Sequence, residues 1–519
     1  MRIKSALAAL LMGAAAPAVA GPFAMVGDVQ LRQDVDLLKA AGLIRGPVDA
    51  WPLPWAQIDQ GLDKARDGRK LDPEIGAAVA RLEGLSDFAQ QKLAVEARLD
   101  VTNGAALARD FGTTARNKVD GAARVEFNSG AVSVALGAGY RDQRGKNYHF
   151  EPTLLSVRLG NWALYGGYPE EWFGPGQTGA LLFSNSTKPF PKVGIKRLVP
   201  DPINLPVLRW LGPIRLDLFV GALNERRDYR NVIVVGTRLN FEPVRGLEIG
   251  LNRAQQLCGQ GRPCGTTQIL KSFVGGGNLD NANPNDLTAF NNQPGNQLAG
   301  YDISYVRRIG RVNAKLYFEA EAEDFAKVVI EQYARLLGGT LSGPWGNKGA
   351  RWTANVEYAD TYGATLLNGT PFQKLFGSSN TRYPKSIYLN SLYYDGFTYD
   401  QRPIGYWTDG DSRTLTGSVS LTDTQNRRWY ASARSTHINI TNNGGIPPLP
   451  PKPPFSGPNR GPYHISLTSE KIAIGTAGVE WPTAYGDIRM EARYQSDTPN
   501  TPGRRDGRAQ FEVGYRTRF

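Results

Sequence analysis

AQFEVGYRTRF, residues 509–519, ends the chain on a strict alternation. Phe511, Val513, Tyr515, Thr517 and Phe519 fall on one face, and Gln510, Glu512, Arg516 and Arg518 on the other. A period of two is that of a β-strand with one apolar and one wet side. The same pattern starts at residue 92, where KLAVEARLDV sets Leu93, Val95, Ala97, Leu99 and Val101 against Lys92, Glu96, Arg98 and Asp100. It returns in AVSVALGAGY, IRLDLFVGAL, RVNAKLYFEAE, RWTANVEYAD, EKIAIGTAGVE and GDIRMEARYQ. In RVNAKLYFEAE, Val312, Ala314, Leu316 and Phe318 oppose Asn313, Lys315, Tyr317 and Glu319.

Two architectures satisfy such strands. In a soluble sandwich the apolar faces meet each other, whereas in an outer-membrane barrel they meet lipid and the polar faces line or plug the lumen. Dense mixed charge on single strands, such as Arg489, Glu491 and Arg493, suits either. The chain end separates them. An alternating strand that closes on phenylalanine resembles the signal read by the bacterial barrel-assembly machinery, with Phe511, Tyr515 and Phe519 as its aromatic positions. The expected fold is therefore mainly β: a transmembrane antiparallel barrel over residues 92–519. At roughly ten residues per strand, that length suits about sixteen to eighteen strands. The 59 glycines and 22 tyrosines fit strand kinks and interfacial girdles. Residues 252–300 and 441–462, the latter containing IPPLPPKPPFSGP, read as polar loops, placed outside the cell because periplasmic turns are short.

Residues 1–20 have the three parts of a secretory signal: Arg2 and Lys4, an apolar centre over Ala6–Ala16, and Ala18-Val19-Ala20 before cleavage after Ala20. Residues 21–91 read as a small helical bundle at the periplasmic end. Asp28 caps a first helix that Gly42 stops, Pro54 opens a second that runs to about Ala65, and Asp72-Pro73 begins a third. These helices are too short for a core of their own and must pack on something else, as a plug would. Cys258 and Cys264, close together in an exported chain, read as one disulfide. Loss of Arg2 and Lys4 lowers the net charge from +12 by two, to +10, which suits an acidic partner or lipopolysaccharide phosphates. Export excludes nucleic acid.

Four segments, in order, carry a resemblance: GDVQLRQDVDLLKAAGLIRGPVDAWPLPW (27–55), EEWFGPGQTGALLFSNSTKPFP (170–191), GNQLAGYDISY (295–305) and YYDGFTYDQRPIGYWTDGDSR (393–413). Together they resemble the Wzi-type capsule-assembly family of outer-membrane proteins. The resemblance implies about eighteen strands, a helical bundle at the periplasmic end, and a lectin-like role that tethers capsular polysaccharide to the cell. One position departs from the family pattern: Tyr406 stands where histidine is frequent, which implies a different sugar here if that position touches ligand.

Sugars are held by aromatic faces, by polar groups that meet hydroxyls, and by cations that meet uronic acids. On that chemistry the candidate residues are Trp172, Gln177, Asn185, Lys188, Asn296, Gln297, Asp302, Arg402, Tyr406, Trp407, Asp409, Asp411 and Arg413. Trp172 and Trp407 have an alternative place in an interfacial girdle, and Asp409-Gly410-Asp411 has one as a simple turn. No cofactor or metal is expected: His149, His437 and His464 lack ligand spacing, and no nucleophile motif follows a suitable strand. Glu170 and Glu171 are adjacent, so a glycosidase pair would need side chains that point apart to converge. The reading is binding without catalysis. Its rivals are a porin or oligosaccharide channel, and a peptidoglycan-gripping S-layer-homology-like module around LLKAAGLIRG.

Overall fold

In the computed structural model every one of these alternating segments is a strand. The structure describes residues 21–519 apart from 69, 144–145, 226, 228, 268–294, 324–332, 364–386, 391–392, 394, 442–464 and 502–506. The export signal lies outside the described residues.

Eighteen antiparallel strand positions close into a barrel. The first six are β1 (Leu93–Thr102), β2 (Val119–Ser129), β3 (Val132–Arg141), β4 (Tyr148–His149 with Leu154–Leu159), β5 (Trp162–Gly167) and β6 (Lys192–Arg197). Next come β7 (Ile214–Leu223), β8 (Val232–Val244), β9 (Leu247–Leu257), β10 (Gly295–Ile309), β11 (Val312–Ala322) and β12 (Ala334–Pro344). The last six are β13 (Arg351–Asp360), β14 (Arg413–Thr422), β15 (Arg428–Ile438), β16 (Glu470–Thr483), β17 (Gly486–Gln495) and β18 (Ala509–Arg518). The two pieces of β4 both pair with β3. Closure comes from β18 against β1, with Tyr515 opposite Leu99, so the segment that ends the chain also seals the sheet.

Burial is inverted relative to a water-soluble protein. Along β11, Leu316 is 67% exposed while Glu319 is 0% exposed. Along β18, Phe511 is 62% exposed and Glu512 only 2%. Leu99, Val125, Leu136, Val193, Leu337, Val356, Val419 and Val513 continue the exposed apolar belt around the barrel. Such a surface is stable only against lipid. Short turns such as those at Gly246 and Gly310 mark the periplasmic end, and the long connections mark the extracellular end.

The expected loop over residues 252–300 needs correction. Strand β9 runs to Leu257 and β10 starts at Gly295, so both ends of that range are sheet. The segment reads as loop because Asn252, Gln256 and Asn296 are polar, yet they are polar because they face the lumen, where all three are buried. Residues 268–294 and nearly all of the Pro-rich stretch, 442–464, lie outside the described residues.

Three helices fill the periplasmic half of the lumen: α1 (Val29–Ala40), α2 (Trp55–Arg66) and α3 (Pro73–Ala89). Asp28 caps α1 by accepting from Leu31 N at 2.9 Å, and Gly42 breaks the helical path at φ +75°. Pro54 precedes α2. Asp72 does not cap α3; its carboxylate reaches Arg308 of β10 at 2.6 Å instead. The helices share an apolar core that includes Leu38, Trp51, Ile58 and Leu82. Their polar faces are ionically tied to the wall. Lys39 meets Glu248 at 2.9 Å, Lys315 meets Asp36 at 3.0 Å and Asp49 at 2.6 Å, and Arg351 meets Asp34 at 2.8 Å.

Candidate functional site

The connection between β5 and β6 does not stay outside the barrel. Trp172–Phe173 descends the lumen and pairs antiparallel with Ala50–Trp51 of the N-terminal unit. Buried backbone N–H groups in such a position need acceptors, and wall carboxylates provide them. Glu357 accepts from Gln177 N at 2.7 Å, from Thr178 N and from the Thr178 hydroxyl, while Glu319 accepts from Leu181 N at 2.7 Å. Glu248 does the same for Val48 N at 2.8 Å and Asp49 N at 3.0 Å. Gly174 sits at φ +133°, and a Cβ there would stand 2.5 Å from Glu319 Oε2. Gly174-Pro175-Gly176 is thus a turn wedged against the wall, with Pro175 O accepting from Arg32 at 3.1 Å and Gly176 O from Trp172 at 3.1 Å.

A second inward layer comes from the connection between β13 and β14. Thr398–Tyr399 and Arg402–Pro403 form a tight hairpin whose tip residues Asp400 and Gln401 have φ of +49° and +63°. Beneath it Tyr388, Phe397, Ile404, Tyr406 and Trp407 pack with Phe173, Phe183 and Phe219 in one buried cluster. Ser184 N donates to Ile404 O at 2.9 Å, which joins the two layers. The lumen is occupied from the periplasmic helices to the extracellular loops.

Most sequence candidates turn out to be parts of this packing. Trp172 is fully buried against Phe111 and under the Arg32 guanidinium, and so lies neither in a girdle nor on an open face. Tyr406 and Trp407 are buried as well; a Cβ on Gly179 would collide with the Tyr406 ring. Asp302 pairs with Arg238 at 2.7 Å and Asn296 donates to Gln256 at 3.2 Å on the lumen wall, whereas Gln297 accepts from Arg253 at 2.7 Å on the opposite, outer face of the sheet. Gln177 is half-buried beside Glu357. Asp409 and Asp411 have φ of +66° and +58°, and Asp411 accepts from Thr441 N at 3.1 Å, which is turn geometry. Arg413 pairs with Asp360 at 3.2 Å and lies over the Tyr362 ring. These polar and aromatic residues are drawn inward because a plugged lumen needs the same side chains that a sugar site needs. The disulfide between Cys258 and Cys264 is formed just beyond the end of β9.

Three candidates do converge, at the extracellular end: Asn185, Lys188 and Arg402. They meet two arginines that the motif reading passed over, Arg109 and Arg116, from the connection between β1 and β2. Arg116 donates to Asn185 O at 3.3 Å and to Glu170 at 2.6 Å. Arg402 donates to Ser186 O at 3.2 Å and to Leu107 O at 2.8 Å. Arg109 donates to Thr114 O at 3.2 Å and Ala115 O at 2.8 Å. Burial, and then repulsion from Arg116 and Arg402, push the Arg109 guanidinium well below the ordinary arginine value. Lys188 pairs with Asp400 at 3.1 Å and stands 5.5 Å from the Tyr399 ring centre. Asn185 Oδ1 and Ser186 Oγ are buried without a hydrogen-bond partner among the described residues. A cavity of about 240 Å³ adjoins the cluster, lined there by Arg109, Arg116, Tyr168, Glu170, Asn185 and Pro189. Such a concentration of cations beside unsatisfied polar atoms is suited to an anionic, hydroxyl-rich ligand. The signal for it was present in ALARDFGTTARNK (106–118), where Arg109, Arg116 and Lys118 outnumber Asp110. Glu170 and Glu171 diverge: Glu170 faces Arg116, and Glu171 lies 3.6 Å from Lys196 and accepts from Tyr165.

Comparison with known proteins agrees with this architecture. In Klebsiella pneumoniae, an uncharacterized 55.8 kDa protein in the cps region is 25% identical over 427 residues, which is 80% of this chain and 77% of the relative. Among solved structures, Wzi of Escherichia coli, described as an outer-membrane protein involved in group 1 capsule assembly and a carbohydrate-binding β-barrel, superposes with a TM-score of 0.75. The identity is 19%, over 95% of this chain and 99% of that one. The family model of the capsule assembly protein Wzi matches residues 89–510, from the last turn of α3 to the start of β18. With the barrel and both inward connections inside that match, the chain belongs to the Wzi capsule assembly family.

Proposed function

We propose that this protein holds acidic surface polysaccharide at the extracellular end of a plugged outer-membrane barrel and so tethers capsule to the cell. The observation that carries the reading is the convergence of Arg109, Arg116 and Arg402, with Lys188, above a filled lumen. Guanidinium groups meet carboxylates in bidentate pairs, which fits uronic acids. Asn185, which lines the cavity, offers an unsatisfied side-chain oxygen to hydroxyls. Glu170, already paired with Arg116, takes no role in bond cleavage on this reading. The protein recognises and retains its ligand without transforming it. Export with cleavage after Ala20, insertion by the barrel-assembly machinery through Phe511, Tyr515 and Phe519, and contacts with lipopolysaccharide phosphates complete the proposal.

Deletion of the gene, followed by measurement of cell-bound and released capsule, tests it. The expected result is capsule in the medium at unchanged total amount, restored by the wild-type gene and not by Arg116→Ala with Arg402→Ala. Unchanged retention in the deletion strain would remove the tethering role.

A further inference from the structure

Among the described residues, the periplasmic end of the barrel is made of tight turns with one exception, the connection between β6 and β7, residues 198–213. It is built, not slack. Pro202 and Pro213 bridge antiparallel at its base, and Glu242 N of β8 donates to Pro213 O at 3.0 Å. A 3-10 turn, Leu208–Leu211, forms its tip. Gly212 ends that turn at φ +68°, donates to Arg209 O at 3.2 Å, and leaves no room for a Cβ beside Glu242 O.

This ordered excursion presents apolar side chains to its surroundings. Val207 is 78% exposed and Trp210 75%, and Leu205 is exposed beside them. Between Pro202 and Pro213 the only charged residue is Arg209, also exposed. Water is a poor neighbour for such a group of side chains. The rest of the same rim shows what the neighbour is. Trp345 and Tyr485, in the turns after β12 and β16, and the terminal Phe519 are likewise exposed at the periplasmic ends of strands whose outer faces are apolar. Aromatic side chains at that level form the girdle that sits among lipid headgroups.

We propose that residues 203–211 form an amphipathic foot that lies in the inner leaflet of the outer membrane. Leu205, Val207 and Trp210 enter the boundary of the acyl chains, continuing the girdle of Trp345, Tyr485 and Phe519, and Arg209 meets lipid phosphate. A single helical turn is far smaller than the roughly 800 Å² that each partner contributes to an ordinary protein interface, whereas one turn with a tryptophan is enough to seat in a headgroup layer. The foot is independent of the sugar reading, since it lies at the opposite end of the barrel.

The test uses the full mature protein in phosphatidylethanolamine–phosphatidylglycerol vesicles. Val207→Cys is labelled with an environment-sensitive fluorophore, with Thr424→Cys, in the turn after β14, as the reference; both positions are exposed. Heat-modifiable gel mobility confirms that each variant is folded. The expected result is a blue-shifted emission at residue 207, quenched several-fold more than at residue 424 by lipids carrying a shallow nitroxide, and several-fold less by aqueous iodide. Equal iodide quenching at the two positions would overturn the proposal. Shielding in native envelopes but not in pure lipid vesicles would also overturn it, and would assign the segment to a periplasmic protein.

Discussion

Leu316 and Glu319 lie three residues apart on β11 and face different solvents, one lipid and the other a packed lumen. Alternation of this kind was legible from residue types alone, because a strand sends successive side chains to opposite sides. The individual site residues were not. Trp172, Tyr406 and Trp407 have the composition of a sugar site and the position of core, and only the inward fold of two connections distinguishes these. Arg109 and Arg116 were missed for the opposite reason: they come from a connection without motif that folds inward, with Gly112 bridged to Gly27 and Leu107 O accepting from Arg402. Two substitutions test this scale. Arg116→Ala should weaken binding of an acidic polysaccharide by about 1.5–3 kcal/mol, tenfold or more, as expected for loss of a charged hydrogen bond; titration of the detergent-solubilised protein measures it, and an unchanged affinity would remove Arg116 from the site. Gly174→Ala should destabilise the inward loop by roughly 1–3 kcal/mol, through its φ of +133° and the clash with Glu319. Faster proteolysis between residues 168 and 191 is the expected readout.

At the scale of elements, the helices followed their capping signals to within a residue or two, since Asp28, Gly42 and Pro73 act locally. Asp72 departed from that pattern because Arg308 competes for its carboxylate, and a partner on a distant strand leaves no local trace in sequence. The bounds of β9 and β10 were hidden by their lumen-facing amides. What holds the helical unit in place is ionic and buried. Burial alone would raise the Asp49 carboxyl, but Lys315 and then Lys39 outweigh it and hold the group well below the usual carboxylate range. For a carboxylate with a depressed value in the folded state, the stabilisation is complete above the ordinary value near 3.8 and disappears as pH falls through the depressed one. The N-terminal unit should therefore stay protected from protease between pH 7 and 4; release between pH 7 and 5 would contradict the assignment. Lys39→Ala removes one side of the buried pair with Glu248 and should cost about 3–5 kcal/mol, visible as a lower temperature for loss of that protection.

The molecule as a whole is a barrel whose lumen has been given over to packing, with the N-terminal unit and the connection between β5 and β6 meeting at Trp51 and Trp172. Beside the helices there remains a cavity of about 330 Å³ along a wall of mixed charge that includes Arg98, Arg516 and Arg518, which is space for water rather than a porin channel. Planar bilayers should accordingly show none of the large steady steps of a porin, and such steps would restore the channel reading. The fold was legible because it repeats one physical rule along more than four hundred residues; the filling of the lumen was not, because it depends on contacts between segments far apart in the chain. The decisive measurement is binding of the purified, detergent-solubilised protein to immobilised acidic capsular polysaccharide and to the same polymer with its carboxyl groups reduced. The expected result is saturable, salt-sensitive binding to the acidic form, lost on reduction and in the Arg116→Ala, Arg402→Ala double variant. Equal binding to both polymers, or binding to neither, would contradict the account.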